Sequence, residues 1–274
     1  MRALLRPLGT ACCLLFAAPA PTIPAAAAED FIICRDATGD EAIAACDRAI
    51  ASKKYSGADL SHLYDNRGVE YSRKAERDRA IADYDQSIRL DPTNYRAFNN
   101  RGDDYRIKKN YDRALQDLNE AVRLGPTFSQ GFKTRGDIYH DMDDNERAVA
   151  DYDQAIRVDA KFAAAWNARC WARAILGDLH SALADCNESL RLRPDNANTI
   201  DSRALVYFKL GQLDQALAEY EAALKLNPRF AGSLYGRSII KRKKGDVAGA
   251  DADRTAALAI RPDIADEWEK LGVK

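Results

Sequence analysis

Histidine and cysteine are the side chains in this sequence best suited to acid-base, nucleophilic or metal chemistry, and neither is grouped to do it. The three histidines, His62, His140 and His180, are widely separated along the chain. His140 with Asp141 and Asp143 is the best acid-base cluster available, and it falls at a polar turn, where a solvated helix end accounts for it. The six cysteines, Cys12, Cys13, Cys34, Cys46, Cys170 and Cys186, form no CxxC and no zinc-knuckle spacing, which argues against redox catalysis and a thiolate metal site. GxSxG, a phosphate-cradling glycine loop and HExxH are also missing, so nucleophile, phosphate and zincin chemistries lack their minimum parts. The expectation is a protein that is not an enzyme and uses no cofactor or metal.

The elements that must position any site repeat with a fixed period. In the stretch from Tyr95 to Phe128, Phe98, Gly102 and Tyr105 lie three or four residues apart, and so do Ala114, Leu118 and Ala121. That spacing writes two amphipathic helices into 34 residues, with KKNYD as the turn and Pro126 as the stop. Units of the same length begin at Ser61, Tyr95, Ser129, Ala163, Ala197 and Ala231, with Ala80, Ala114, Ala148, Ala182, Ala216 and Ala250 in one phase. Pro92, Pro126, Pro194, Pro228 and Pro262 share another, broken only by Ala160. One such hairpin cannot cover its own apolar faces and needs neighbours.

This pattern resembles the tetratricopeptide repeat family over residues 61–264. A large apolar residue opens each unit (Tyr64, Phe98, Phe132, Trp166, Ile200, Leu234) and a small one follows four later (Gly68, Gly102, Gly136, Cys170, Ala204, Ser238). The resemblance implies an all-α α-solenoid: stacked antiparallel helix pairs in a right-handed superhelix, whose first helices line a concave groove. It implies little chemistry, because the architecture is shared by proteins that bind many things. Six full repeats are expected between two caps, residues 29–60 and 265–274.

Residues 1–28 have the layout of a secretory signal peptide: Arg2 and Arg6, an apolar run around Ala11 to Ala18, prolines, then four alanines before Glu29. Pro19, Pro21 and Pro24 stop that run short of the roughly 20 residues of a membrane span. Lipidation at Cys12 is the weaker reading, because only a short apolar stretch precedes it. Cleavage after Ala28 removes Arg2 and Arg6 and leaves 39 basic and 42 acidic residues, so no global basic field favours nucleic acid. With the resemblance, the layout implies a protein of the bacterial periplasm or one that is secreted.

Four cysteines survive cleavage, an even number suited to an oxidising compartment. Cys170 and Cys186 occupy the phases where other units place a small residue on the first helix and mostly Tyr or Leu on the second, so they are expected to meet in one seam. Cys34 and Cys46 flank a TGD turn before AIAACDRAI, which reads as a second helix lacking a full first one, an incomplete cap stapled to itself. Ala51 to Leu60 reads as a loop, and Trp268 as the cover of the sixth unit. The run from Lys241 to Lys244 reads as a solvated helix end.

Arg67, Arg101, Arg135, Arg169, Arg203 and Arg237 recur with Asp83, Asp117, Asp151, Asp185, Glu219 and Asp253 sixteen positions later, which predicts a ladder of ion pairs between layers. The family's geometry puts Asp65, Asn99, Asn100, Lys133, Asp137 and His140 on the concave wall of units one to three. Units four to six contribute Asn167, Trp171, Ile175, Asp201, Leu205, Phe208, Tyr235 and Ile239. The carboxylate clamp of some family members is not matched, since Asp137, Ala168, Asn198 and Ser202 stand where partners of Lys133 would be needed. Binding of a protein or extended peptide is expected, with Trp171, Phe208 and Tyr235 as anchors and Asn99, Asn100, Lys133 and Asn167 orienting the chain. The apolar trio has a second reading, as gap fillers or as residues covered by the Trp268 tail. A structural spacer and an accessory regulatory subunit are the alternative roles.

Overall fold

The computed structural model describes residues 25–272. Residues 1–24 of the signal-peptide reading of residues 1–28, and Cys12 with them, lie outside the described residues. The described residues form fifteen α-helices and no strand. They run as pairs: α1 (Ala25–Asp36) with α2 (Gly39–Ala51), α3 (Gly57–Arg73) with α4 (Arg77–Leu90), and α5 (Tyr95–Ile107) with α6 (Tyr111–Leu124). The series continues with α7 (Ser129–Asp141) and α8 (Asn145–Val158), α9 (Ala163–Leu176) and α10 (Leu179–Leu192), α11 (Ala197–Lys209) and α12 (Leu213–Leu226). It closes with α13 (Ala231–Lys243), α14 (Val247–Ile260) and the short α15 (Ile264–Lys270). The pairs stack into an α-solenoid.

Helix starts are written locally. Asn94, Asn110, Asp144, Asp178 and Asp246 each accept a backbone N–H three residues on, satisfying a donor that the first turn leaves open. The turn inside each of the six units needs one left-handed residue at the same phase. Glycine supplies it at Gly177, Gly211 and Gly245, whereas Ala75, Lys109 and Asp143 adopt φ near +60° at a cost of about 1 kcal/mol each.

The small residue of each first helix lets the pair close. A Cβ at Gly68 would stand 2.7 Å from the Tyr84 ring, one at Gly102 only 2.0 Å from Leu118, and one at Gly136 2.6 Å from Tyr152. In the fourth unit the same two phases hold Cys170 and Cys186, joined by a disulfide and both fully buried. A second disulfide joins Cys34 on α1 to Cys46 on α2.

Three sequence expectations change here. The N-terminal element has a full first helix, α1, because the alanines from Ala25 to Ala28, read as a cleavage region, are also the strongest helix formers. Residues 57–60 are helical instead of loop, since α3 starts at Gly57 and packs Leu60 with Phe31, Cys34, Cys46 and Leu63. The arginine ladder does not pair layers through its matched acids. Each of these acids sits on the second helix of the arginine's own unit, as in Arg101, whose Nε and Nη2 donate to Asp117 at 2.8 and 2.7 Å.

The link between layers runs through the remaining guanidinium nitrogen. Nη1 of Arg67, Arg101 and Arg169 donates to Asp47, Asp85 and Asp153 of the preceding layer, and that of Arg135 and Arg203 to Asn119 and Asn187. A planar fork spanning two carboxylates in the first, second and fourth units, and a carboxylate and an amide in the third and fifth, ties the helix pair together and to its neighbour, whereas the Arg237 fork engages only Asp253. Rings opening the units lie beneath, with Arg169 4.7 Å from the Trp166 centroid and Arg67 5.3 Å from that of Tyr64. Glu219 is the exception: its longer side chain receives only Nη2 of Arg203, and Arg203 Nε and Glu219 Oε2 are left buried without a partner.

Candidate binding groove

First helices α9, α11 and α13, the end of α7 and the C-terminal segment line an open cavity of about 280 Å³. Its wall includes Asp137, His140, Asn167, Trp171, Asp201 and Leu205, together with Arg261, Glu267 and Trp268 from beyond the sixth unit. Tyr152, a second-helix residue, reaches it through the seam over Gly136 and donates its hydroxyl to Asp137 at 3.0 Å.

The anchors expected from sequence are divided by the fold. Trp171 is half-buried and open to the cavity. Tyr235 is only 7% exposed, and Phe208 stands edge-on to Trp268 with centroids 6.1 Å apart. Trp268 therefore covers part of the apolar face that the sequence assigns to a ligand, and Trp171 is the anchor left in the cavity. Asn167 is half-buried, with Oδ1 lacking a protein partner.

The polar half is largely internally satisfied. Asn99, 5% exposed, donates to Asn100 at 3.2 Å, and Asn100 donates to Asp65 at 3.0 Å, leaving only Asn99 Oδ1 unpartnered. Lys133 is held by Asp137 at 2.6 Å. The histidine cluster is also engaged: His140 Nδ1 lies 2.8 Å from Asn145 Oδ1, and Asp141 accepts from Arg106 at 2.7 Å. Among the described residues no group of three or more His, Cys, Asp or Glu side chains is placed to hold a metal, and no helix is long and apolar enough to cross a membrane.

Two carboxyls stand out electrostatically. Burial pushes Asp201 up to about 6, against the pull of Ser233, whose hydroxyl donates to it at 2.5 Å, and of Arg261. Burial likewise raises Asp65 to about 6, opposed by the Asn100 amide. The folded state then holds a proton that the unfolded state releases between about pH 4 and 6, so each group's contribution to stability falls as pH rises through that window. Asp201→Asn keeps an acceptor for Ser233 and is expected to stabilise the protein by about 2 kcal/mol at pH 7 while flattening the slope between pH 4 and 6. Urea melts across that range check it, and an unchanged slope would contradict the assignment. Sequence reasoning placed Asp201 on the wall without its burial; Ser233 was the available signal, a small donor on the next first helix.

The profile described as tetratricopeptide repeat matches residues 66–127 and 134–197, and the profile described as TPR repeat matches 204–245. Together these stretches span more than half of the chain, and the protein belongs to the tetratricopeptide repeat family. Comparison with curated proteins returned no match. Among solved structures, a tetratricopeptide repeat protein from Parabacteroides merdae is similar with a TM-score of 0.66 at 18% identity, covering 90% of this chain and 99% of its own. PilW, described as a widely conserved type IV pilus biogenesis factor, gives 0.67 at 20% identity, over 74% and 94%. YrrB, described as a TPR protein with an unusual peptide-binding site, gives 0.52 at 21% identity, over 70% and 97%. At these identities the likeness concerns the fold.

Proposed function

We propose that the protein is a non-enzymatic interaction scaffold of the bacterial periplasm or cell envelope, whose concave groove receives an extended segment of a partner protein. The observation that carries this reading is the cavity of about 280 Å³ on the first-helix side, with Trp171 on its wall beside amide and carboxyl groups. A large aromatic at the centre of a concave surface is a typical hot spot, and amides beside it can bond an extended backbone. The peptide-binding description of YrrB is in keeping with it. Two disulfides support a place outside the cytoplasm, where such bonds persist, and the signal-peptide layout of residues 1–28 supplies the route.

Trp171→Ala is expected to abolish capture of the partner in a crosslinking pull-down from the native envelope, with little loss of fold, because the ring is only half-buried. Capture that survives intact would remove Trp171 from the interface, and unfolding of the variant would make it a packing residue.

A further inference from the structure

The C-terminal helix α15 does not continue the stack. In preceding units the residue at the phase of Trp268 packs on the neighbouring second helix, as Trp166 does with Ala155 and Ile156 and Ile200 does with Leu190. Trp268 shares a cluster with Ala257 of α14 and also reaches rings of the first helices α11 and α13. Its ring lies 5.5 Å from Tyr235 and 6.1 Å from Phe208, with Tyr220 at 6.2 Å behind them. Gly236 makes the room, since a Cβ there would stand 2.6 Å from the indole.

The acids of α15 meet a mixed surround: Glu267 shares its cavity with Asp137 and Asp201, and Arg242, near Asp266 and Glu269, also pairs with Asp251. Glu267 pairs with Arg261 at 2.9 Å, and Asp266 and Glu269 share the walls of a second cavity, of about 520 Å³, with Arg242, Lys243 and Arg254. The two cavities flank α15, so the helix fills only part of the space between them. Ile264 and Trp268 are its buried side chains, with Leu271 buried just after it, and a seven-residue helix has little stability of its own.

We infer that α15 is an intrachain occupant of the groove, and that the surface beneath it is a receptor for an acidic segment carrying a large aromatic side chain. This rests on the groove reading proposed above and adds the chemistry of the partner: a segment resembling DEWE would displace α15 and take the Trp268 place. A ligand that binds only the open state has its apparent affinity lowered by the closed fraction, so α15 sets a threshold for capture.

The chain's own tail is the probe. A fluorescent peptide of residues 263–274 is titrated against a chain ending at Pro262 and against the full chain, with circular dichroism to follow the fold. The inference expects saturable binding to the shortened chain, at least tenfold weaker binding to the full chain, and loss of binding when the peptide carries Trp268→Ala. Raising salt should weaken it several-fold, as acid-to-base contacts require. A folded shortened chain that ignores the peptide, or equal binding by both chains, overturns the inference. If the shortened chain does not fold, the full chain with Trp268→Ala takes its place and must bind the peptide; loss of fold in both makes α15 a structural cap and also overturns it. Failure here with capture through Trp171 intact removes only the tail's role, whereas failure of both removes the groove.

Discussion

Replacing Trp268 with alanine is expected to lower the stability of the folded chain by about 3 kcal/mol, because the indole is only 4% exposed and its removal leaves a void among three other aromatic rings. Both the transfer of a large apolar side chain and the cavity left behind contribute, and Gly236 cannot swing anything into the gap. The loss should appear in chemical denaturation as a lower midpoint, concentrated in the C-terminal units. A solenoid couples each layer mainly to its neighbours, so hydrogen exchange in α13 and α14 should rise while α3 to α6 stay protected. Unchanged unfolding would mean that the tail is loose in solution.

The second large effect concerns the arginine fork. Arg101→Ala strands Asp117, a carboxyl with 6% side-chain exposure, and is expected to cost about 3 kcal/mol. Burial already raises the Asp117 carboxyl, so without its guanidinium it has even less reason to ionise. Asp85→Ala should cost less than about 1 kcal/mol, since that acid is 48% exposed on the same arginine. In a double-mutant cycle, Arg101 and Asp117 should couple by about 1 to 3 kcal/mol. Replacing both with apolar residues of similar size should be nearly neutral in stability, which would assign the fork to register. Coupling near zero for Asp117 and for Asp85 would sink that role.

These cases show what the sequence made legible. The helix pairs, their period and the seam phase of Cys170 and Cys186 follow from local pattern, because each depends on residues a fixed distance apart. The interlayer acceptors were not legible: Asp47 precedes Arg67 by 20 residues whereas Asp85 and Asp153 precede Arg101 and Arg169 by 16, and Arg135 and Arg203 use the amides Asn119 and Asn187 instead. The direction of α15 was not legible. Trp268 stands in the phase of Trp166, yet its ring meets Phe208 and Tyr235. The candidate site suffered most from this, since two of its three expected anchors are the surface that α15 covers. Burial of Asp201 was likewise invisible, because it depends on Ser233 and the C-terminal segment arriving from other elements.

The claim that the concave side binds a partner is tested most directly by a photo-crosslinking amino acid placed at Trp171, with a second placed at Leu226, an exposed apolar residue on the second helix α12. Irradiation in the native envelope is expected to join one partner to the protein from position 171 and none from position 226. Crosslinks of equal yield from both positions, or from 226 alone, would contradict the groove.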